Sequence, residues 1–297
     1  MTRLAILADI HGNQPALEAV MADLAAQRVE QVIVAGDLIN WGPFSAQVVA
    51  RVRAAGWATI RGNHELILLD YGTPRAPAIW SDRAAFPVPH WLQRQLPPAL
   101  SMAIALWPDT LVVQPPDAPP LRIFHGSPRD HAEPIYPDIT EATLTPLLAG
   151  IAETTIVAGH THRPMDRQIG RWHVLNPGSV GMMLDNDHRA SYLILDGAAA
   201  GWRGELRRVP YDKSALFAEF TRLGFVEECG PIGALVVEEF ATARLRIAPF
   251  LRWRAAVAPA APFDAATLAR FRTVDPEDYM PVGHRPGDGP RSPPPAR

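Results

Sequence analysis

The chain is predicted to be an α/β protein, on three observations. Apolar runs of strand length alternate with amphipathic helical stretches over the first 62 residues. Five polar clusters rich in His, Asp and Asn each follow an apolar run, where ligand-bearing loops sit at the carboxyl ends of parallel strands. Finally, 297 residues with 47% hydrophobic and 20% charged side chains can bury a substantial core. One large domain with an extension fits that length as well as two domains do.

Leu4 to Ala8 reads as a buried strand, and Pro15 to Gln27 as a helix with Leu17, Val20, Met21 and Leu24 on one face. Pro15 suits a first helical turn, where no backbone donor is needed. Val32 to Ala35 is a second strand, Ser45 to Ala55 a second helix and Trp57 to Ile60 a third strand. This repetition implies right-handed crossovers and parallel strands covered by helices.

From Glu65 to about Leu100, six prolines (Pro74, Pro77, Pro87, Pro89, Pro97 and Pro98) break any long element. Trp80, Phe86, Trp91 and Leu92 supply apolar surface there. The segment is either a cap of short helices at the site or a cover for the sheet edge. Strand signals resume at Ala103–Leu106, Leu111–Val113 and Leu121–Phe124, and Thr140 to Ile151 reads as a helix. The strand Thr155–Ala158 is followed by the strands Met165–Ile169, Trp172–Leu175, Ser191–Leu195 and Trp202–Val209. Lys213 to Leu223 is an amphipathic helix, and residues 230 to about 258 are helical, with Leu235, Val236 and Phe240 as packing positions. Residues 1–228 are expected to form the main domain, with 65–100 as its insert, and 229–280 a helical C-terminal extension. The Pro-, Gly- and Arg-rich stretch 281–297 is expected to be disordered.

A net charge of −3 gives no global reason to expect nucleic acid or an anionic membrane as partner. Cys229 is the only cysteine, so no intramolecular disulfide forms. The N-terminal apolar run is too short for a signal sequence, and no apolar segment reaches membrane-spanning length. The expected location is the cytoplasm. The Trp-rich insert and the helical C-terminus also offer a surface for a homo-oligomer or a partner.

The five clusters are Asp9-Ile10-His11, Gly36-Asp37, Gly62-Asn63-His64-Glu65, His125-Gly126-Ser127 and Gly159-His160-Thr161-His162. Asp9, His11, Asp37, Asn63, His125, His160 and His162 are candidate metal ligands. Imidazole, carboxylate and amide oxygen together suit Mn above all, with Fe, Zn, Ni, Co or Mg as alternatives. Seven ligands are too many for one ion with an open position and enough for two, provided one carboxylate bridges. Asp37 is the candidate bridge. Such a pair binds a bridging water, lowers its pKa towards neutrality and holds a phosphoryl oxygen for in-line attack. Two dications against two carboxylates leave roughly +2 for a small phosphorylated substrate. His64 remains to donate a proton to the leaving group or to stabilise the transition state. Its side chain is expected to turn to the substrate while that of Asn63 turns to the metal. The other five histidines, His90, His131, His173, His188 and His284, are assigned to surface or packing.

These blocks, in this order, resemble the signature blocks of the calcineurin-like metallophosphoesterases over residues 3 to about 210. Asp9-Ile10-His11-Gly12-Asn13, Gly42-Pro43, Asn176-Pro177-Gly178-Ser179-Val180-Gly181 and Val209-Pro210-Tyr211-Asp212 are similar to a bacterial and archaeal phosphodiesterase-like branch. The resemblance implies a four-layer αββα sandwich. It implies Asp9, His11, Asp37 and His162 on one metal, Asp37, Asn63, His125 and His160 on the other, and His64 as the catalytic histidine.

The expected activity is hydrolysis of a phosphodiester or small nucleotide by metal-bridging water or hydroxide. A Ser/Thr protein phosphatase, or a nucleotide phosphomonoesterase or pyrophosphatase, is the alternative. Arg61-Gly62-Asn63-His64-Glu65 also resembles the block of Ser/Thr protein phosphatases and dinucleoside-tetraphosphate hydrolases. But those families follow Gly-Asp with Asp-Arg-Gly, and here Trp41 stands where their phosphate-binding arginine would be. A non-catalytic metal-binding scaffold ranks lower, because no block is missing. Asn13 reads as a helix cap or turn residue, Gly178 and Gly181 as turn glycines, and Asn176 as a support for a ligand. Arg61, Arg129 and Arg163 stand open between substrate phosphate and surface ion pairs.

Overall fold

The structure, a computed structural model, describes residues 1–281 and Gly283; the rest of the expected disordered tail lies outside the described residues. Along the chain come β1 (Arg3–Leu7), α1 (Gln14–Leu24), β2 (Gln31–Val34), α2 (Ser45–Ala54), β3 (Ala58–Thr59) and α3 (Asn63–Asp70). Next are α4 (Pro87–Gln95), α5 (Pro98–Ala105), β4 (Thr110–Val113), β5 (Leu121–Phe124), α6 (Glu141–Leu147) and β6 (Thr155–Ala158). They are followed by β7 (Met165–Ile169), β8 (Trp172–Asn176), β9 (Ala190–Ala198) and β10 (Gly201–Val209). The helices α7 (Ser214–Arg222), α8 (Phe225–Thr242), α9 (Ile247–Val257) and α10 (Ala265–Phe271) end the series.

The strands form two five-stranded sheets, ordered β10-β9-β1-β2-β3 and β4-β5-β6-β8-β7. In the first, β1, β2 and β3 run parallel, as the strand–helix alternation requires, while β9 pairs antiparallel with β1. In the second, β5, β6 and β8 are parallel, with β4 and β7 as antiparallel edges.

Side-chain alternation shows how the sheets stack. In and just after β1, Leu4, Ile6 and Ala8 enter a cluster with Ile123, Val157 and Leu175 of the other sheet. Ala5 and Leu7 point the opposite way, into the core shared with α1, α2 and the C-terminal helices. The second sheet covers its outer face with α6 through Ile156, Val174, Leu144 and Leu147. Helices, sheet, sheet and helix make the expected αββα sandwich. Strands buried on both faces read as continuous apolar runs, which is why these stand out in the sequence.

Residues 65–105 are helical throughout their ordered elements, and Ala103–Leu106 is a correction. It is not a strand: Ala103 to Ala105 close α5, and Leu106 caps it. Pro98 occupies the first turn of α5, which starts a helix where a four-residue apolar run alone suggested a strand. The helix expected over Thr140 to Ile151 is shorter, capped by Thr140 and ending at Leu147. The helical stretch expected from 230 begins earlier and divides in two, because Ala243 takes a left-handed φ of 53° after α8. Residue 229 lies inside α8, next to a kink at Gly230 (φ 56°, ψ −140°).

The extension does not stand apart. Ile232, Leu235, Val236, Phe240, Phe250 and Trp253 join the same core as Leu7 and Leu17. Trp91 of α4 meets Phe225 of α8 edge-on at 4.9 Å, and Arg94 pairs with Glu228. Insert and extension therefore pack on each other. No described helix is long and apolar enough to cross a membrane.

Candidate metal centre

Every predicted ligand follows a strand. Asp9 and His11 follow β1, Asp37 follows β2, His125 follows β5, and His160 and His162 follow β6; Asn63 and His64 open α3 just after β3. The loops are stitched by backbone hydrogen bonds: Asp9 N–H donates to the Gly36 carbonyl (3.1 Å), His11 N–H to that of Asp37 (3.0 Å) and Gly159 N–H to that of His125 (2.7 Å). Asp9, His11, Asp37, Asn40, Trp41, His160 and His162 all have φ between 45° and 70°. Left-handed backbone at non-glycine residues costs roughly 1–2 kcal/mol each and persists where the surroundings hold it, typically at functional sites.

Glycine permits the closest approaches. A Cβ on Gly62 would stand 2.1 Å from Asp37 Oδ1, and one on Gly181 would stand 1.7 Å from the Ile10 carbonyl oxygen. Asn176 donates to the Gly159 carbonyl (2.8 Å) and the Thr161 hydroxyl (3.1 Å), so it supports the loop that carries His160 and His162. Asn13 caps α1, accepting from Ala16 N–H, and also donates to the Gly181 carbonyl (2.7 Å).

Among the described residues, three overlapping groups of possible ligands converge; His11, Asp37 and His64 make one of them, and the remaining two hold the predicted ligands. Asp9, His11 and His162 form one, with His162 Nε2 at 3.4 Å from Asp9 Oδ1 and 3.1 Å from His11 Nε2. Asp37, His125 and His160 form the other, and Asn63 Oδ1 sits 3.0 Å from both His125 Nε2 and His160 Nδ1. Asp37 Oδ2 lies 3.0 Å from His125 Nε2 and 3.7 Å from His11 Nε2, between the groups.

Three rings face inward by the same device. His11, His125 and His162 each direct Nδ1 at a backbone carbonyl, of Ile39, Ala35 and Met182. An Nδ1–H donated there leaves the Nε2 lone pair for a metal.

Electrostatics fit a cation. Asp9 Oδ1 is buried and accepts no hydrogen bond, with the Nε2 atoms of His162, His125 and His11 standing 3.4, 3.8 and 3.9 Å away. An uncompensated buried carboxylate oxygen is costly unless something positive meets it. Burial pushes the His160 ring down to about 3 and that of His11 well below its usual range, so both are neutral. For His125 burial also opposes charge, but the carboxylates of Asp37 and Asp9 prevail and draw it up to about 10. Burial likewise works against ionisation of Asp37, and the surrounding imidazoles hold its carboxyl well below the usual range. Without metal, then, a His125 imidazolium beside Asp37 supplies part of the missing positive charge. The donor set, the inward rings and the lone Asp9 oxygen together fit divalent ions.

Asn63 Oδ1 meets His125 and His160 while the His64 ring meets Asn40 and Trp41, yet His64 stays close to the ligands and lines the same cavity as Asn63. Its Nε2 is 4.0 Å from Asp37 Oδ2 and its ring stands edge-on to His11 at 4.9 Å. Asn40 Nδ2 is 2.6 Å from His64 Nδ1 and Trp41 Nε1 is 3.2 Å from Nε2. Glu65 is buried and accepts four backbone N–H groups, from Asp37 (2.8 Å), Leu38 (2.8 Å), Ile39 (3.4 Å) and Gly62 (2.7 Å). It thereby ties the Asp37 loop to the start of α3. Burial and the nearby Asp37 charge push its carboxyl up to about 7, against those four donors.

Sequence reasoning assigned no role to Asn40 or Glu65, although Glu65 lies in a quoted block and Asn40 three residues after Asp37; their polarity amid apolar neighbours was the available signal. The three open arginines have structural partners: Arg61 pairs with Asp109, Arg129 with Glu133, and Arg163 donates to the Gly283 carbonyl. His131 and His173 pair with Asp109 and Asp166, and His284 lies outside the described residues.

Residues 2–199 match the calcineurin-like phosphoesterase superfamily domain. An uncharacterized protein of Methanocaldococcus jannaschii is 25% identical over 228 residues, covering 70% of this chain and 88% of that protein. A metallophosphoesterase from Sphaerobacter thermophilus superposes with a TM-score of 0.64 at 25% identity, over 82% of this chain and 99% of its own. A hypothetical protein from Pyrococcus horikoshii shares the fold, with a TM-score of 0.69 at 18% identity over 83% of this chain and all of its own.

Proposed function

Because the chain belongs to the calcineurin-like phosphoesterase superfamily, we propose that it is a dinuclear metal-dependent hydrolase of phosphodiesters or small nucleotides. The observation that carries this is Asp37, whose carboxylate lies between an Asp9–His11–His162 group and an Asn63–His125–His160 group. Asp9, His11, Asp37 and His162 would hold one ion, and Asp37, Asn63, His125 and His160 the other. Manganese suits this set, and iron, zinc, nickel, cobalt or magnesium are the alternatives. When bound, the ions supply Lewis acidity for phosphoryl oxygens and for an attacking water.

The protein's own part is positioning. Carbonyl-bound Nδ1 atoms hold three imidazoles with Nε2 inward, and Glu65 holds the Asp37 loop against α3. His64 is the group left to meet the leaving-group oxygen. Trp41 Nε1–H donates to His64 Nε2 at 3.2 Å, and Asn40 Nδ2 stands 2.6 Å from Nδ1. To meet a leaving-group oxygen, His64 would exchange the Trp41 bond for one to the substrate. A ring protonated on Nε2 would then stabilise the developing negative charge by hydrogen bonding.

Diester preference is supported by what surrounds His64. Trp41 packs its indole on the His64 ring at 5.1 Å. No guanidinium takes that place to bind the second charge of a monoester. The test is hydrolysis of bis-p-nitrophenyl phosphate against p-nitrophenyl phosphate by metal-stripped protein before and after Mn²⁺. Mn-dependent turnover favouring the diester is expected; monoester preference would overturn the diester assignment.

A further inference from the structure

Beside His64 the fold leaves a cavity of about 260 Å³. Asn63 and His64 line it from a ligand block, and the rest of its wall comes from parts of the chain outside those blocks. Trp41 and the insert residues Phe86 and Val88 form one side, and Ile232 and Leu251 of the C-terminal helices close the other, with His64 exposed to the interior. Leu251 is 40% exposed, an apolar side chain at the mouth. None of the described residues lining the cavity is Lys, Arg, Asp or Glu.

Those features select an occupant. An anion entering this lining would lose its water and gain no countercharge, so a second phosphate or a carboxylate is disfavoured. A dry apolar cavity of roughly 150 Å³ suffices for benzene. The larger space here is enough for one substituted or fused ring. His64 lines it beside the proposed metal ligand Asn63, so it opens next to the proposed reaction centre on the side of the histidine left to meet the leaving group.

Resting on the phosphoesterase reading above, we propose that this cavity receives the ester group of the substrate, and that the substrate class is a phosphoester carrying one uncharged aromatic ring. The insert and the extension then act together as the specificity element, which accounts for their mutual packing through Trp91 and Phe225.

The test is calorimetric binding of methylphosphonate and phenylphosphonate to the Mn-loaded full chain. Phenylphosphonate is expected to bind about 30-fold tighter, which corresponds to about 2 kcal/mol. Two variants place bulk in the cavity from partly exposed positions, Ala85→Trp and Leu251→Trp. In each the preference should shrink to about threefold or less, with methylphosphonate affinity unchanged. Equal binding of the two phosphonates to the unaltered chain, or a preference that survives in both variants, overturns the proposal. If neither phosphonate binds the metal-loaded protein, the phosphoryl-site reading itself falls and this one with it.

Discussion

The side-chain amide of Asn40 stands 2.6 Å from His64 Nδ1, across the turn that follows Asp37. Asn40 is itself in left-handed backbone (φ 70°) and bonded to Trp41 N–H, so its amide has little freedom to turn. It fixes the orientation of the histidine proposed to meet the leaving group.

Replacing Asn40 should therefore change His64 without disturbing the metals. Asn40→Ala is expected to lower kcat about tenfold with KM little altered. Asn40→Asp places a carboxylate on Nδ1 and favours the imidazolium, raising a His64 pKa that burial now holds low. The limb of the pH–rate profile governed by His64 should move to higher pH. A profile identical to wild type would show that Asn40 does not set the state of the ring.

Two buried glutamates offer a contrast. Glu65 uses both oxygens, each facing backbone N–H groups, whereas Glu239 uses Oε1 alone to accept from Arg246 N–H (2.6 Å) and Ile247 N–H (2.8 Å). Glu65→Gln turns an amide NH₂ towards two donors and should cost about 3 kcal/mol by urea unfolding, with loss of turnover. Glu239→Gln keeps its accepting oxygen and should fold normally.

Burial raises the Glu239 carboxyl to about 7 against an unperturbed 4.5. A raised carboxyl contributes stability that is full below 4.5 and lost as pH rises through 7. Stability of the Glu239→Gln variant should accordingly fall less than wild type between those values. Parallel stability–pH curves would contradict the assignment.

Metal binding should release protons. His125 is drawn up to about 10 in the metal-free protein, and it must lose its proton to become a ligand. Affinity for Mn²⁺ should rise with pH from 6 to 9, with about one proton released near pH 7.5, read by calorimetry in buffers of different ionisation enthalpy. The metal-free protein should behave oppositely. A raised His125 contributes stability that is full below its unfolded value of 6.5 and lost as pH rises through 10. No proton release would remove His125 from the ligand set.

Gly62→Ala is expected to disrupt the centre, since its Cβ would meet Asp37 Oδ1 at 2.1 Å. Metal content per chain should fall below two while far-ultraviolet circular dichroism stays close to wild type. Full metal loading in this variant would show that the Asp37 loop moves aside at little cost.

The parts legible in the sequence were those whose physics is local. Leu121–Phe124, Thr155–Ala158 and Met165–Ile169 appear with the expected bounds, because apolar runs or alternation bounded by turn residues mark buried strands. The eight site residues come together because each ends such a strand or opens the helix after it. Ala103–Leu106 misled because four apolar residues carry no period, and only Pro98 nearby signalled a helix. Asn40 to His64 and Asp37 to Glu65 are contacts between the loop after β2 and the start of α3, 24 and 28 residues apart, which no local pattern encodes. The cavity wall combines residues from 40 to 251, so its position beside His64 required the fold.

The central claim is a two-metal centre in which His64 serves turnover and does not hold metal. Metal content and diester hydrolysis measured together on the wild-type chain and on His64→Ala, both stripped and reloaded with Mn²⁺, test it most directly. The account predicts two ions per chain in both proteins, with kcat reduced by about 10²–10⁴ in the variant. Unchanged turnover in His64→Ala, or a single ion in the wild-type chain, would contradict it.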